Sequence, residues 1–322
     1  MSNNNISIGF AGDVMIGRGV NAAITDKGYS YPWGNMLPIL KNTDINIINL
    51  EAALTNSNKK VYKVFNFKAS PDRIKTLEEA CVTIVNLANN HILDFSEEGL
   101  IETIQTLDNS GIKHTGAGRN ENEAEKPVIR TVKNSTLGML GFTDNEPGWK
   151  AGNSTSGVNY IDISNSDDCK KALTAISTLD KKTDLVIVSI HWGPNMNEEP
   201  ERHFIDFAHA MIEHGADIIH GHSAHNFQGI EIYRHKLILY DTGDFVDDYA
   251  VDPYFRNDHS FFFKVEASQQ GIEKVVLIPV LISKYQVNLA SGEDYKWSIQ
   301  RMQKLSSKFG TKLSDEGEVL LF

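Results

Sequence analysis

The densest group of residues able to do chemistry is the histidine-rich stretch 215–227, with the sequence GADIIHGHSAHNF. It begins with a short apolar run typical of a buried strand and then places His220, His222 and His225 within six positions. Because neutral imidazole is the commonest metal ligand, the stretch predicts a metal site. The alternative is a loop whose histidines are solvated.

Two carboxylates also follow predicted strands. Asp13 comes after the apolar run 6–10 and a short turn, and Glu51 comes directly after the apolar run 44–50. Open α/β sheets bind ligands at the carboxyl edge of their strands, so both positions suit a functional site. Asp13 could instead cap the helix that follows, which is a common use of aspartate. The acidic loop that includes Asp247, by contrast, is predicted to be solvated.

Polar residues follow apolar strands at two further places, near residue 90 and near residue 190. Asn90 and His91 follow the β-branched run 82–87, and His191 follows the near-continuous apolar run 184–190. Adjacent asparagines are also favoured in turns, which accounts for the first of the pair but not for the histidine. A histidine at the end of a buried strand repeats the pattern of the carboxylates.

The elements between these residues alternate as expected for an α/β protein. Amphipathic helices are predicted from Ser96 to Gly111, over 168–179 and over 200–214, each next to an apolar strand. The chain then continues with strands 261–265 and 275–281, predicted to pair antiparallel, and a terminal helix over 295–309.

The carboxyl ends of parallel strands meet at one edge of a sheet, so the strand-terminal residues are expected to form one site. They offer carboxylate oxygen, amide oxygen and imidazole nitrogen. That set suits Mn²⁺, Fe²⁺ or Zn²⁺ and differs from a thiolate site. One or two ions are expected, because a carboxylate can bridge two ions about 3.5–4 Å apart that act together in hydrolysis.

Five short motifs, taken in order, resemble the CapA family of bacterial proteins associated with capsule and poly-γ-glutamate synthesis. This family lies within the calcineurin-like metallophosphoesterase superfamily. The motifs are GDVM at 12–15, NLE at 49–51, ANNH at 88–91, HWG at 191–193 and GHSAH at 221–225. The resemblance covers about residues 6–250. It implies a four-layered α/β sandwich with a metal site at the carboxyl ends of the strands, formed by residues 1–250. The strands and helix of 251–322 are expected to pack on the same domain.

The resemblance also implies a role for each site residue. Asp13 and His225 resemble ligands of a first ion, Glu51 resembles the bridging carboxylate, Asn90, His191 and His222 resemble ligands of a second ion, and His91 resembles the acid that protonates the leaving group. Met15 stands where the wider superfamily has a histidine ligand. The first ion is therefore expected to have fewer ligands and a lower affinity than the second.

Two functions are compatible with this resemblance. The first is a metal-dependent hydrolase acting on a phosphoester, or on an amide or ester bond of a capsule, poly-γ-glutamate or cell-envelope polymer. The second is a non-catalytic, metal-containing binding or assembly protein for the synthesis of such polymers. Expected partners are an anionic polymer or small-molecule substrate and components of the polymer synthase.

Composition excludes several other classes. Over 322 residues, 31 Lys and Arg against 42 Asp and Glu give a net charge of −11, which disfavours binding to nucleic acid or to an anionic membrane surface. The two cysteines form no disulfide framework, and no apolar run is long enough to span a bilayer. As written, the chain is predicted to be cytoplasmic, although a chain trimmed of an export segment would look the same and be extracytoplasmic.

Overall fold

Residues 5–321 are described by the computed structural model, in which two β-sheets carry most of the strands. The helices are α1 Arg18–Lys27, α2 Leu37–Leu40, α3 Ile74–Glu79, α4 Ser96–Ser110, α5 Glu121–Ala124, α6 Ser166–Asp180, α7 Arg202–Glu213 and α8 Gly292–Ser307, with short 3₁₀ turns at Tyr31–Met36, Pro71–Arg73 and Pro147–Trp149. The strands are β1 Ile6–Val14, β2 Ile45–Leu50, β3 Ala53–Leu54, β4 Lys68–Ala69, β5 Val82–Asn86, β6 Lys113–Thr115, β7 Ala117–Gly118, β8 Val128–Val132, β9 Ser135–Thr143, β10 Gly157–Val158, β11 Leu185–His191, β12 Ile218–His222, β13 Ile230–Tyr233, β14 Lys236–Leu239, β15 Asp244–Val246, β16 His259–Ser268, β17 Gly271–Ser283, β18 Gln286–Leu289, β19 Lys312–Leu313 and β20 Val319–Leu320.

The first sheet joins the two ends of the chain. Its strand order is β18-β17-β16-β1-β2-β5-β6, with β15 also pairing with β1. Strands β1, β2, β5 and β6 run parallel, whereas β16, β17 and β18 add an antiparallel extension on the other side of β1. The C-terminal strands therefore continue the sheet that the N-terminal strand begins.

The second sheet has the strand order β13-β14-β12-β11-β9-β8. Its central strands β9, β11, β12 and β14 are parallel, and antiparallel strands close both edges. In β11 successive apolar side chains alternate between the two faces of the sheet: Leu185 and Ile187 enter one core, while Val186, Val188 and Ile190 enter another. A strand buried on both faces explains why its sequence is a continuous apolar run.

Three apolar cores define the layers. The central core contains residues of both sheets, such as Ile8, Ile47 and Ile187, so the sheets pack face to face. A second core lies between the first sheet and helices α1 to α4, and a third lies between the second sheet and helices α6 and α7. The protein is thus a four-layered α/β sandwich, as the resemblance implied.

The parallel strands bring their carboxyl ends together between the two sheets. Asp13 in β1 is the register partner of both Asn49 in β2 and Asp244 in β15, and His191 in β11 is the partner of His222 in β12. The β1–β2 register shifts between Phe10 and Asp13, an irregularity of the kind that often re-aims a side chain next to a site. Within residues 5–321, no helix is both long and apolar enough to cross a membrane.

Candidate metal centre

Ligand-type side chains form two overlapping groups where the two sheets meet. The first donor group consists of Asp13, Glu51, His225 and Asp244, and the second donor group consists of Asp13, His191 and His222. Within each group, one ligand atom of every member lies within 4.8 Å of the others, and all the members are buried. Because Asp13 belongs to both groups, its carboxylate is the geometric link between them.

Carboxylates dominate the first donor group. Nδ1 of His225 lies 2.9 Å from Oδ1 of Asp244 and 3.6 Å from Oδ2 of Asp13. Tyr249 approaches from the cavity side and donates its hydroxyl to Oε2 of Glu51 at 3.3 Å. Three carboxylates and one imidazole are therefore gathered in a space from which water is largely excluded.

Imidazole nitrogens dominate the second donor group. The Nδ1 atoms of His191 and His222 face each other at 2.9 Å and lie 3.8 Å and 3.7 Å from Oδ1 of Asp13. Asn49 donates its amide to the same Asp13 oxygen at 2.7 Å, which holds that carboxylate in place. Two ring nitrogens near a common carboxylate oxygen are an arrangement that could hold a metal ion.

Burial governs the electrostatics of both groups. Burial raises the pKa of Asp13, Glu51 and Asp244 well above the ordinary range, and neighbouring carboxylates raise it further. Burial also lowers the pKa of His191 and His222 well below the ordinary range, so both rings are neutral at pH 7. Three adjacent buried carboxylates can all ionise only if a cation compensates them, and neutral imidazole is the ligand form of histidine.

Several buried oxygen and nitrogen atoms in and around the two donor groups have no hydrogen-bond partner. They are Asp13 Oδ2, Glu51 Oε1, Asp244 Oδ2, Asn90 Oδ1 and His191 Nε2. A buried polar atom without a partner costs free energy, and so its presence calls for an explanation. Unpartnered carboxylate and amide oxygens beside imidazole nitrogens fit a divalent ion of the Mn²⁺, Fe²⁺ or Zn²⁺ class.

The two asparagines of the loop after β5 have different surroundings. Asn89 is fully buried: its amide donates to Asn49 Oδ1 and Leu50 O, and its Oδ1 accepts from the backbone N–H groups of His91 and Ile92. Asn90 lines the cavity above the site instead. Asn89 thus shapes the loop, and Asn90 remains the member of the pair available to a ligand.

His91 stands on the wall of the same cavity, held on two sides. Its Nδ1 lies 2.6 Å from Oδ2 of Asp94, and its ring stacks on Phe67 with 3.9 Å between ring centroids. Its Nε2 faces Glu51, 3.9 Å from Oε1. Burial lowers the pKa of His91, and the Asp94 carboxylate opposes that shift. One nitrogen is therefore anchored while the other points toward the donor groups.

The cavity above the donor groups has a volume of about 650 Å³ and is bordered by Asn90, His91, His225 and Tyr249. Arg18 also lines it, in an ion pair with Asp248 and with its guanidinium 4.6 Å from the centroid of Phe67. Substrate-sized cavities with a few convergent polar groups are the usual form of a binding site. The donor groups thus lie beside a space large enough for a small molecule or one repeat of a polymer.

The structure differs from the sequence-based expectation at the first ion. Asp244 was not among the predicted ligands, although the sequence Asp241-Thr-Gly-Asp244 directly after an apolar strand carried the same signal as the other sites. Met15 is fully buried, and its sulfur accepts from the backbone N–H of Gly17 at 3.1 Å. Asp244 gives the first donor group four members, so a shortage of ligands there does not follow from the geometry.

Further differences concern Glu51 and Asp247. The resemblance gives the bridging role to Glu51, whereas Asp13 is the residue shared by the two donor groups. Asp247, predicted to be solvated, is 6% exposed, and burial raises its pKa to about 7. The loop is not fully solvated, because residues 248–250 line the cavity. Ser223 and His225 adopt positive φ values of 122° and 59°, a strained backbone of the kind found at functional sites.

Comparisons with known proteins show what this chain is similar to. Residues 7–249 match the family model described as "Bacterial capsule synthesis protein PGA_cap". The chain is 32% identical to the capsule biosynthesis protein CapA of Bacillus anthracis, over 88% of this chain and 69% of that protein. It is 29% identical to a probable polyglutamine synthesis accessory protein of Mycobacterium tuberculosis, over 98% and 95% respectively. A hypothetical protein of Thermus thermophilus has the same fold, with a TM-score of 0.51 at 14% identity, over 85% of this chain and 98% of that one.

Proposed function

We propose, from the premise that this chain belongs to the bacterial capsule synthesis protein family PGA_cap, that it is a metal-dependent hydrolase. Membership of the family assigns the chain to capsule and poly-γ-glutamate biosynthesis. The proposed substrate is a phosphoester, or an amide or ester bond in a capsule, poly-γ-glutamate or cell-envelope polymer. The observation that carries the proposal is the pair of donor groups sharing Asp13, with His91 beside them on the cavity wall.

In this proposal the first donor group and the second donor group would each hold one divalent ion, and Asn90 would add an amide oxygen. Bound divalent ions would supply a water of lowered pKa and positive charge for the developing oxyanion. The protein contributes the arrangement: Asn49 fixes the Asp13 carboxylate, and Tyr249 fixes that of Glu51. The surrounding burial keeps His191 and His222 neutral.

His91 is the proposed proton donor to the leaving group. The Asp94 carboxylate accepts from Nδ1–H, so the proton available to a substrate is the one on Nε2, which faces the donor groups. Lys63 pairs with Asp94 from the other side at 3.3 Å and keeps that carboxylate oriented. A general acid placed in this way is worth about 10²–10⁴ in rate.

The test is an assay of purified protein supplied with Mn²⁺ or Zn²⁺ against phosphodiesters, phosphomonoesters and γ-glutamyl peptides. Turnover of one substrate class, abolished by a chelator and reduced about 10²–10⁴-fold in the His91→Asn variant, is the expected result. His203→Asn serves as the matched control, because the side chain of His203 is half exposed on α7 and does not line the cavity. Metal binding without turnover of any of these substrates would contradict the hydrolase proposal.

The second candidate is a metal-containing binding or assembly protein without catalysis. It is favoured by the name of the M. tuberculosis relative, which describes a synthesis accessory protein. In that case the metal centre would bind an anionic polymer or stabilise the synthase complex. One result distinguishes the two candidates. An assembly protein would bind a polyglutamate chain in a metal-dependent way and leave it uncut.

A further inference from the structure

Ser189 and His220 lie directly behind the second donor group, and the proposed function makes no use of either. They are register partners in β11 and β12, and both are fully buried. The Ser189 hydroxyl oxygen lies 3.1 Å from Nδ1 of His220 and 3.0 Å from Nε2 of His222. One hydroxyl therefore touches two imidazoles, of which only the His222 ring belongs to a donor group.

The positions of the protons in this chain of contacts follow from its far end. Nε2 of His220 lies 3.0 Å from the backbone carbonyl oxygen of Ala11. A carbonyl oxygen only accepts hydrogen bonds, so Nε2 of His220 carries a hydrogen. Burial keeps the His220 ring neutral, and its Nδ1 is therefore a bare acceptor.

Only one assignment makes both contacts of the Ser189 oxygen hydrogen bonds. Ser189 has a single hydroxyl hydrogen, which it donates to the bare Nδ1 of His220. The Ser189 oxygen is then an acceptor toward Nε2 of His222, which must carry a hydrogen. In a neutral ring this leaves Nδ1 of His222 without one, and that atom lies 2.9 Å from Nδ1 of His191 and 3.7 Å from Oδ1 of Asp13.

We infer that Ser189 and His220 are positioning residues that hold His222 in the Nε2–H tautomer, with Nδ1 presented to a metal ion. The inference rests on the metal site of the proposed function but not on hydrolysis. It gives a role to His220, the first histidine of the HGH sequence at 220–222. The buried ring of His220 contacts Ala11 in the first sheet and Ser189 in the second. Outer partners of this type typically change metal affinity by about 10–100-fold.

The first test is long-range ¹H–¹⁵N NMR of the metal-free wild-type protein, which reports the protonated nitrogen of each imidazole. His220 and His222 are both expected as Nε2–H tautomers. A hydrogen on Nδ1 of His222 would overturn the inference, whatever the protein does with metal or substrate. This measurement needs no variant, so it decides the question even if a variant fails to fold.

The second test is calorimetric titration of Mn²⁺ or Zn²⁺ into stripped Ser189→Ala, His220→Phe and double variants. Each single change is expected to weaken the second-group ion about 10–100-fold. The double change should cost no more than the larger single one, because both interrupt the same chain. Thr103→Val removes another fully buried hydroxyl, one in α4 that donates to Gly99 O, and should leave that affinity unchanged. An equal loss of metal affinity in the Thr103 variant, or additive losses in the double variant, would contradict the inference. Ser189 and His220 would then contribute only to packing.

Discussion

Asp244 is the register partner of Asp13 in the pairing of β15 with β1, and this pairing sets two carboxylates side by side in the first donor group. Nδ1 of His225 lies 2.9 Å from Asp244, closer than its 3.6 Å separation from Asp13. Asp244 therefore places a further oxygen, from a different strand, in the group where Met15 led us to expect too few ligands. The donor set of the first group becomes more carboxylate-rich than the resemblance implied.

The Asp244→Asn change removes one negative charge from this group. We expect it to weaken the first-group ion by about tenfold or more, because a carboxylate ligand is replaced by a neutral amide oxygen, and to leave the second-group ion in place. Titration of metal into stripped protein measures both affinities. Asp26→Asn is the control, since Asp26 is exposed on α1. Unchanged affinity at both positions would remove Asp244 from the site.

His191→Ala and His222→Ala should have the complementary effect. Each change deletes a nitrogen of the second donor group while keeping Glu51, His225 and Asp244. We expect loss of one bound ion per chain, with the first-group ion retained through gel filtration. Elemental analysis of the purified variants gives the stoichiometry. Wild-type metal content in both variants would show that these rings have another role.

The Asp94→Asn change tests how His91 is held. Burial lowers the pKa of His91 and the Asp94 carboxylate opposes it, so removing the carboxylate should lower that pKa further. An acid must be protonated to act, and the limb on which activity falls with rising pH should therefore move to lower pH. The rate should drop less than in His91→Asn. A pH–rate profile with an unmoved limb would separate Asp94 from the function of His91.

Metal should stabilise the protein more strongly as pH rises. Burial raises the pKa of Asp241 and of Asp247 to about 7, against about 3.9 in an unfolded chain. The native metal-free protein then binds more protons than the unfolded chain between about pH 4 and 7, and the stability that these groups contribute is lost as pH rises through that window. Bound cations compensate the ionised carboxylates.

The corresponding measurement is the difference in Tm with and without metal at pH 5 and at pH 8. We expect the larger difference at pH 8, where a hundredfold excess of metal over its Kd corresponds to about 2.7 kcal/mol. The Asp26→Asn protein should behave like the wild type. A difference that shrinks with rising pH would contradict the electrostatic account of the buried acids.

The strands and their parallel arrangement were predictable because the signals for them are local, whereas the four-layered sandwich was implied by the family resemblance. Apolar runs that end in Asp13, His191 or His222 show where buried strands stop, and a parallel arrangement then brings these ends together. Antiparallel pairing of the C-terminal strands was also predictable, and it is observed between β16 and β17. These features need only periodicity and strand order.

The contributions of Asp244 and Asp247 could not be predicted in the same way. Asp244 reaches the site because β15 is inserted beside β1, a pairing between residues more than 200 positions apart that leaves no local pattern. Asp247 is buried at the start of a loop whose next residues, 248–250, line the cavity. The tautomer of His222 depends on a contact that crosses from the second sheet to Ala11 in the first, which only the packed structure shows.

The central claim is that Asp13 links two metal positions, and elemental analysis after gel filtration tests it most directly. Wild-type protein loaded with Mn²⁺ or Zn²⁺ is expected to retain metal, Asp244→Asn and His222→Ala are each expected to lose a different ion, and Asp13→Asn is expected to lose both. An Asp13→Asn protein that is folded and keeps the full wild-type metal content would contradict the account.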